Sequence, residues 1–114
     1  MDEQDRNRLH DILDACHTVQ QISADKSRSS LDEDIVIMLA LTRLVEIIGE
    51  AATHISEETR NTLPEIPWRN IIGMRNRVIH DYGGVNYDIL WKVAAERIPE
   101  LLEILERVLS ADSL

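Results

Sequence analysis

Apolar residues recur at steps of three and four along most of the chain, and the breaks in that rhythm divide it into helices. Over residues 5–22, Leu9, Ile12, Leu13, Cys16 and Val19 share one face, which predicts an amphipathic helix. Residues 23–30, S-A-D-K-S-R-S-S, have no apolar period and the composition of a loop. Residues 31–54 predict the strongest helix, with Ser30 as its N-cap and Glu33 as the capping-box partner. There Leu41, Leu44, Val45, Ile48, Ala51 and Ala52, continued by Ile55, trace one seam, and Ile37, Ala40 and Ile47 trace a second beside it. So wide an apolar arc belongs to a helix that is central in a bundle or also lines a subunit interface. Gly49-Glu50-Ala51-Ala52 places small residues where another helix can approach closely.

After Ile55 the rhythm shortens. Ser56 is positioned to cap the segment S-E-E-T-R, P-E-I-P breaks the chain, and Pro67 predicts a new helix over 67–80. D-Y-G-G-V at 81–85 is a turn. A last long helix is expected from Asn86 to about Leu109, with Leu90, Ala94, Ile98, Leu101, Leu102, Leu105, Val108 and Leu109 as its stripe. Pro99 lies inside it, which predicts a kink or break just before that residue. The closing S-A-D-S-L is expected to fray. Neither strand-like alternation nor an internal repeat is present. The expectation is an all-α bundle of four main helices plus a short extra one, formed by a single domain over residues 1–114.

Composition narrows the class. With 44% apolar and 29% charged residues, the chain has the balance of a globular protein rather than a disordered one. Aromatics are scarce and Phe is absent, so Leu, Ile, Val and Ala must carry the core. Cys16 is the single cysteine. It can form no disulfide within the chain and is too few for a Cys/His metal centre, which fits a reducing cytoplasm. The charged start M-D-E-Q-D-R-N-R does not read as a signal peptide, and no apolar run is long enough for a bilayer. The net charge of −9 argues against non-specific duplex binding, which relies on basic surface. It leaves room for a focused basic pocket.

One stretch departs from the acidic background. Trp68 to Tyr82, W-R-N-I-I-G-M-R-N-R-V-I-H-D-Y, holds Arg69, Arg75 and Arg77 and no acid before Asp81. Gly83 and Gly84 follow and place His80 and Tyr82 where a helix stops. Asn76 and His80 share a helix face, and Gly73 leaves room one turn before them. Arg75 and His80 are five residues apart and diverge by roughly 140° on a regular helix. They converge on one ligand only if the helix ends near His80, or if two copies of the motif meet across a two-fold axis. Arginine offers a fork of donors to phosphate oxygens, and histidine moves a proton near neutral pH. RNA brings its own nucleophile, the 2′-hydroxyl, so such a set needs neither metal nor cofactor. On the pair alone, a capping or interior histidine beside two solvated arginines is the simpler reading. Elsewhere, His10, Asp14 and His17 lie close together on the first helix. A metal site is the sharper reading there and a solvated polar face the preferred one.

The surrounding residues change the weighting at the central stretch. R-N-R-V-I-H-D-Y resembles the R-x4-H-x-Y signature of HepT-like toxins within the HEPN-domain ribonucleases. I-I-G-E-A-A at 47–52, I-P-W-R-N-I-I-G-M-R-N-R at 66–77 and D-I-L-W at 88–91 resemble the same family in the same order. The resemblance implies a HEPN helical bundle and a homodimer with its two motifs in an interfacial cleft. It implies a metal-independent endoribonuclease acting on tRNA or mRNA. The partner it implies is a minimal nucleotidyltransferase (MNT) antitoxin that adds AMP to Tyr82, as in type VII-like toxin–antitoxin pairs. Arg75 and His80 would be catalytic. Asn76 and Tyr82 would support catalysis or bind substrate. On the residues themselves, Arg77 binds substrate backbone or is simply solvated, and Glu50 is an orienter for a nearby arginine or a surface or capping acid. A non-catalytic helical partner of a nucleotidyltransferase, and a plain interaction bundle, remain the alternatives.

Overall fold

The computed structural model describes residues 1–111. Its helices are α1 (Glu3–Ser23), α2 (Ser30–Glu33), α3 (Ile35–His54), α4 (Glu57–Thr62), α5 (Trp68–Val78), α6 (Tyr87–Lys92) and α7 (Ile98–Ala111). No strand interrupts them among the described residues. The protein is all-α: α1 packs on both α3 and α7, and α5 packs on α3. The main predicted seams supply the core, while the second seam of α3 (Ile37, Ala40 and Ile47) is half-buried. Leu9, Ile12, Cys16 and Val19 of α1 meet Leu41, Val45, Ile48 and Ala52 of α3, and the whole predicted stripe from Leu90 to Leu109 is buried. Burial pushes the Cys16 thiol up to about 12, so it stays protonated and packs as a small apolar group. No helix among the described residues is long and apolar enough to cross a membrane.

Two boundaries differ from expectation. The helix predicted over 31–54 is interrupted at Asp34, whose backbone is extended and whose carboxylate accepts from the N–H groups of Val36 and Ile37. Asp34 therefore caps α3, and the predicted cap Ser30 instead opens the four-residue α2 and accepts from the Ser27 N–H. The helix predicted over 67–80 ends at Val78. Just before Pro99 the helix is irregular, as expected: Val93–Arg97 forms one wide π-type turn in which the Ile98 N–H reaches back to Val93. That turn absorbs the hydrogen bond that proline cannot donate. Other starts follow the sequence: Ser56 accepts from the Thr59 N–H, and Asn86 from the Ile89 N–H. The expected fraying of the last residues falls partly on 112–114, which lie outside the described residues.

Asp5 joins α1 to α4. It is buried and accepts from the Ser56 N–H (3.1 Å), the Ser56 hydroxyl (2.6 Å) and the Thr59 hydroxyl (2.5 Å). Burial alone would raise its pKa, but the donors from Ser56 and Thr59 outweigh burial and hold it below the ordinary carboxylate value. Asp5→Ala leaves those donors without their acceptor and should cost about 2–3 kcal/mol at pH 7. Because the folded pKa is depressed, this contribution is full above the unfolded value of about 3.9. It fades as pH falls through the folded pKa. Urea midpoints of wild type and Asp5→Ala at pH 7 and pH 3 should therefore draw together at the lower pH.

Candidate functional site

Gly49 sets the position of α5. A side chain there would stand 3.4 Å from the Ile71 carbonyl oxygen and 3.8 Å from the Arg75 Cβ, so the two backbones approach closely at this point. The small-residue run predicted as a contact surface is thus used, and its partner is α5. Gly73, one turn before Asn76, meets nothing within 4 Å and lies open as expected.

Beside the Gly49 contact is an open cleft of ≈ 340 Å³ between α3 and α5, with Glu46, Glu50, Arg75 and Asn76 among its walls. Arg75 is about half exposed, and its Nε lies 3.7 Å from a Glu46 carboxylate oxygen. Its guanidinium also donates to the Asn76 side-chain oxygen at 3.4 Å. Both contacts are long and solvent-facing, so they steer the guanidinium without occupying it fully. Glu50, expected to orient an arginine, lines the same cleft, but the carboxylate paired with Arg75 is Glu46. Its signal in the sequence is its place one turn before Glu50, on the helix face that Gly49 opens to α5.

His80 and Tyr82 stand outside that cleft, in the loop after α5. This loop is more ordered than the predicted turn. The His80 N–H donates to the Gly84 carbonyl and the Asn86 N–H to the Val78 carbonyl, both at 2.8 Å. Ile79 and Val85 pair as an isolated antiparallel bridge. The Gly83 N–H donates to the His80 carbonyl at 2.9 Å, and Gly83 has φ +88°. This is a three-residue hairpin closed by a left-handed glycine. It pins the His80 backbone on both sides. The Tyr82 ring stacks on the His80 ring, with centroids 5.3 Å apart and planes at 21°, while Tyr82 remains 85% exposed. Among the described residues no hydrogen bond or ion pair engages the His80 ring, so both nitrogens are free for a ligand.

The structure thus gathers the predicted residues into two separate groups, Arg75 with Asn76 and Glu50 in the cleft, and His80 with Tyr82 in the hairpin. It separates Arg77, whose guanidinium donates to the Asn70 carbonyl at 2.8 Å on another face of α5. On α1, His17 bonds Glu106 of α7 at 3.0 Å, while His10 and Asp14 are exposed. Among the described residues no group of three His, Cys, Asp or Glu side chains is placed to hold a metal ion.

Gly84 maintains the ring stack. A Cβ there would meet the Tyr82 Cε2 at 2.9 Å, so Gly84→Ala should displace the flexible tyrosine ring and leave the hairpin hydrogen bonds in place. In NMR spectra the His80 ring protons should move in Gly84→Ala in the same direction as in Tyr82→Ala, while core methyl shifts stay constant. Unchanged His80 shifts in both variants would mean the stack does not persist in solution.

Comparison with known proteins adds a lineage to this geometry. The family model described as "Ribonuclease HepT-like" matches residues 12–108. The protein named "Putative RNase MJ1380" of Methanocaldococcus jannaschii is 35% identical over 100 residues, covering 88% of this chain and 92% of its own. The protein named "Probable ribonuclease HepT" of Thermococcus cleftensis is 35% identical over 96 residues, covering 84% and 87%. No solved structure matches the chain. Since the family match spans all the core helices and both halves of the motif, the chain belongs to the HepT-like ribonuclease family.

Proposed function

We propose that this protein is a metal-independent endoribonuclease that cleaves tRNA or mRNA with Arg75 and His80, as the toxin of a toxin–antitoxin pair in the cytoplasm. The observation that carries the reading is the hairpin after α5. It holds an unengaged imidazole at fixed backbone geometry, under an exposed tyrosine, directly after a helix whose arginine faces an open cleft.

In the proposed reaction, His80 takes the proton from the RNA 2′-hydroxyl as its oxygen attacks the adjacent phosphorus. The P–O5′ bond breaks, the 5′-oxygen leaves and acquires a proton, and a 2′,3′-cyclic phosphate remains. Arg75 offsets the charge that builds on the phosphoryl oxygens in the transition state. Asn76 positions phosphate or His80. Tyr82 contacts the strand and is the control point: AMP added to its hydroxyl by a nucleotidyltransferase antitoxin would place bulk and negative charge where RNA phosphate must sit. Its exposure leaves that hydroxyl open to another enzyme.

The reading includes a homodimer. Arg75 and His80 line different surfaces of one chain, so a second copy would supply the opposing group. Ile35, Val36 and Leu39 form an exposed apolar patch on the first turns of α3, the helix whose later turns carry Glu46 and Glu50. Contiguous exposed apolar surface of this kind marks an interface. Leu39→Glu should shift the protein toward monomer in sedimentation equilibrium, and an unchanged association constant would exclude this face.

Purified wild type should cleave total tRNA in EDTA and leave cyclic phosphate ends. His80→Ala should be slower by at least about 100-fold, and Arg75→Ala by about 100-fold or more. Preincubation with the cognate nucleotidyltransferase and ATP should silence wild type and spare residual activity in Tyr82→Phe. Full cleavage by His80→Ala would remove His80 from the chemistry.

A further inference from the structure

A second pocket lies on the other side of α5. Its volume is ≈ 330 Å³, at the small end of ligand-sized cavities. The floor is aliphatic, with Met74, Ile89 and Ile104 among its walls, and the rim carries Arg77, Lys92 and Arg97 against a single carboxylate, Glu100. This is a concentration of positive charge in a chain of net charge −9. The cations are not used up internally. Arg97 and Glu100 form an exposed pair at 3.3 Å, of a kind that contributes little and exchanges readily. Among the described residues no salt bridge involves Lys92. Arg77 is held toward the mouth by its bond to the Asn70 carbonyl, and the Asn70 side-chain amide keeps a donor and an acceptor at the wall.

An apolar floor under a rim of cations selects a ligand that is flat or apolar at one end and multiply anionic at the other. A nucleotide has that form. In an otherwise acidic protein, such a rim is also where field lines draw a polyanion. Arg75 and Arg77 are two residues apart on α5 and so point to opposite sides of it, roughly 200° apart. A helix is about 10–12 Å across with side chains.

We propose that this pocket holds one nucleotide of the RNA substrate on the far side of α5 from the scissile phosphate. The base rests on the aliphatic floor, and the phosphate lies among Arg77, Lys92 and Arg97. The proposal rests on the ribonuclease reading above and adds to it a substrate anchor that takes no part in the chemistry. With Asn70 as the polar side chain at the floor's edge, the anchor grips most bases and discriminates weakly, so it contributes affinity more than sequence choice.

The test uses wild type, Lys92→Gln/Arg97→Gln, which changes only exposed residues, and Ile104→Trp, which fills the cavity. Methyl NMR titrations with 5′-AMP, adenosine and inorganic phosphate should show 5′-AMP moving the Met74, Ile89 and Ile104 methyls. Either half alone should bind more weakly, and both variants should bind 5′-AMP at least about fivefold more weakly, as for loss of phosphate or base contacts. In RNA cleavage, both variants should raise KM about fivefold or more and leave kcat within about twofold, as expected for binding shared by ground and transition states. If cleavage depends on His80 but neither variant moves KM, the anchor is overturned and the ribonuclease reading stands; the pocket then belongs to a protein partner. If wild type cleaves nothing while 5′-AMP still moves those methyls, the ribonuclease reading fails and a nucleotide pocket remains. Methyls that ignore 5′-AMP would overturn the pocket's assignment outright.

Discussion

The close approach of α3 and α5 at Gly49 is the contact on which the rest of the site depends. Glycine inside a helix costs about 1 kcal/mol relative to alanine. Here its missing side chain allows the α5 backbone to come within van der Waals reach of α3. That approach brings Arg75 beside Glu46 and opens the cleft between the helices. α5 then ends at Val78, and the hairpin carrying His80 and Tyr82 follows directly. A larger residue at position 49 would move the arginine and the histidine together.

Two kinds of order meet at this site. Arg75 is carried on a packed helix but its side chain is loosely held, which suits a group that must turn toward phosphate. His80 has the opposite character: its backbone is bonded on both sides, while its ring stacks on the exposed Tyr82. A ring in fixed position with free nitrogens serves proton transfer without reorganisation. Tyr82 covers that ring from the solvent side, so whatever alters the tyrosine alters access to the histidine. On the proposed roles, control and chemistry would be coupled by a stack of two rings rather than by a long-range change.

Positive charge is distributed unequally on the two sides of α5. The cleft side has one arginine balanced by Glu46 and Glu50, which keeps its field local. The far side has three cations against one carboxylate, with an apolar floor beneath. The π-type turn before Pro99 lines that far pocket through Val93 and Arg97. A backbone irregularity that proline imposes is thereby placed where it shapes a surface, not where it would disturb the core.

Much of this was legible in the sequence, and the reason is periodicity. The seams of α1, α3 and α7 follow directly from apolar spacing, because each helix has one face that must leave water whatever its neighbours are. The caps Ser56 and Asn86, the strain at Pro99 and the R-x4-H-x-Y signature are equally local. What local reading missed were choices between near-equal options. Both Ser30 and Asp34 can cap a helix, and the capping of Val36 and Ile37 by Asp34 is seen only in the folded chain. Glu46 and Glu50 both lie near α5, and the angle at which the helices cross at Gly49 decided which one meets Arg75. Hydrogen bonds across residues 78–86 converted a predicted turn into a bridged hairpin. The far-side pocket could not be read at all, since Arg77, Lys92 and Arg97 are scattered over twenty residues and become neighbours only when α5, α6 and α7 pack. The sequence by itself determined which helix faces are buried and where the basic stretch lies; tertiary structure decided which side chains meet, because that depends on distances between helices that no local pattern records.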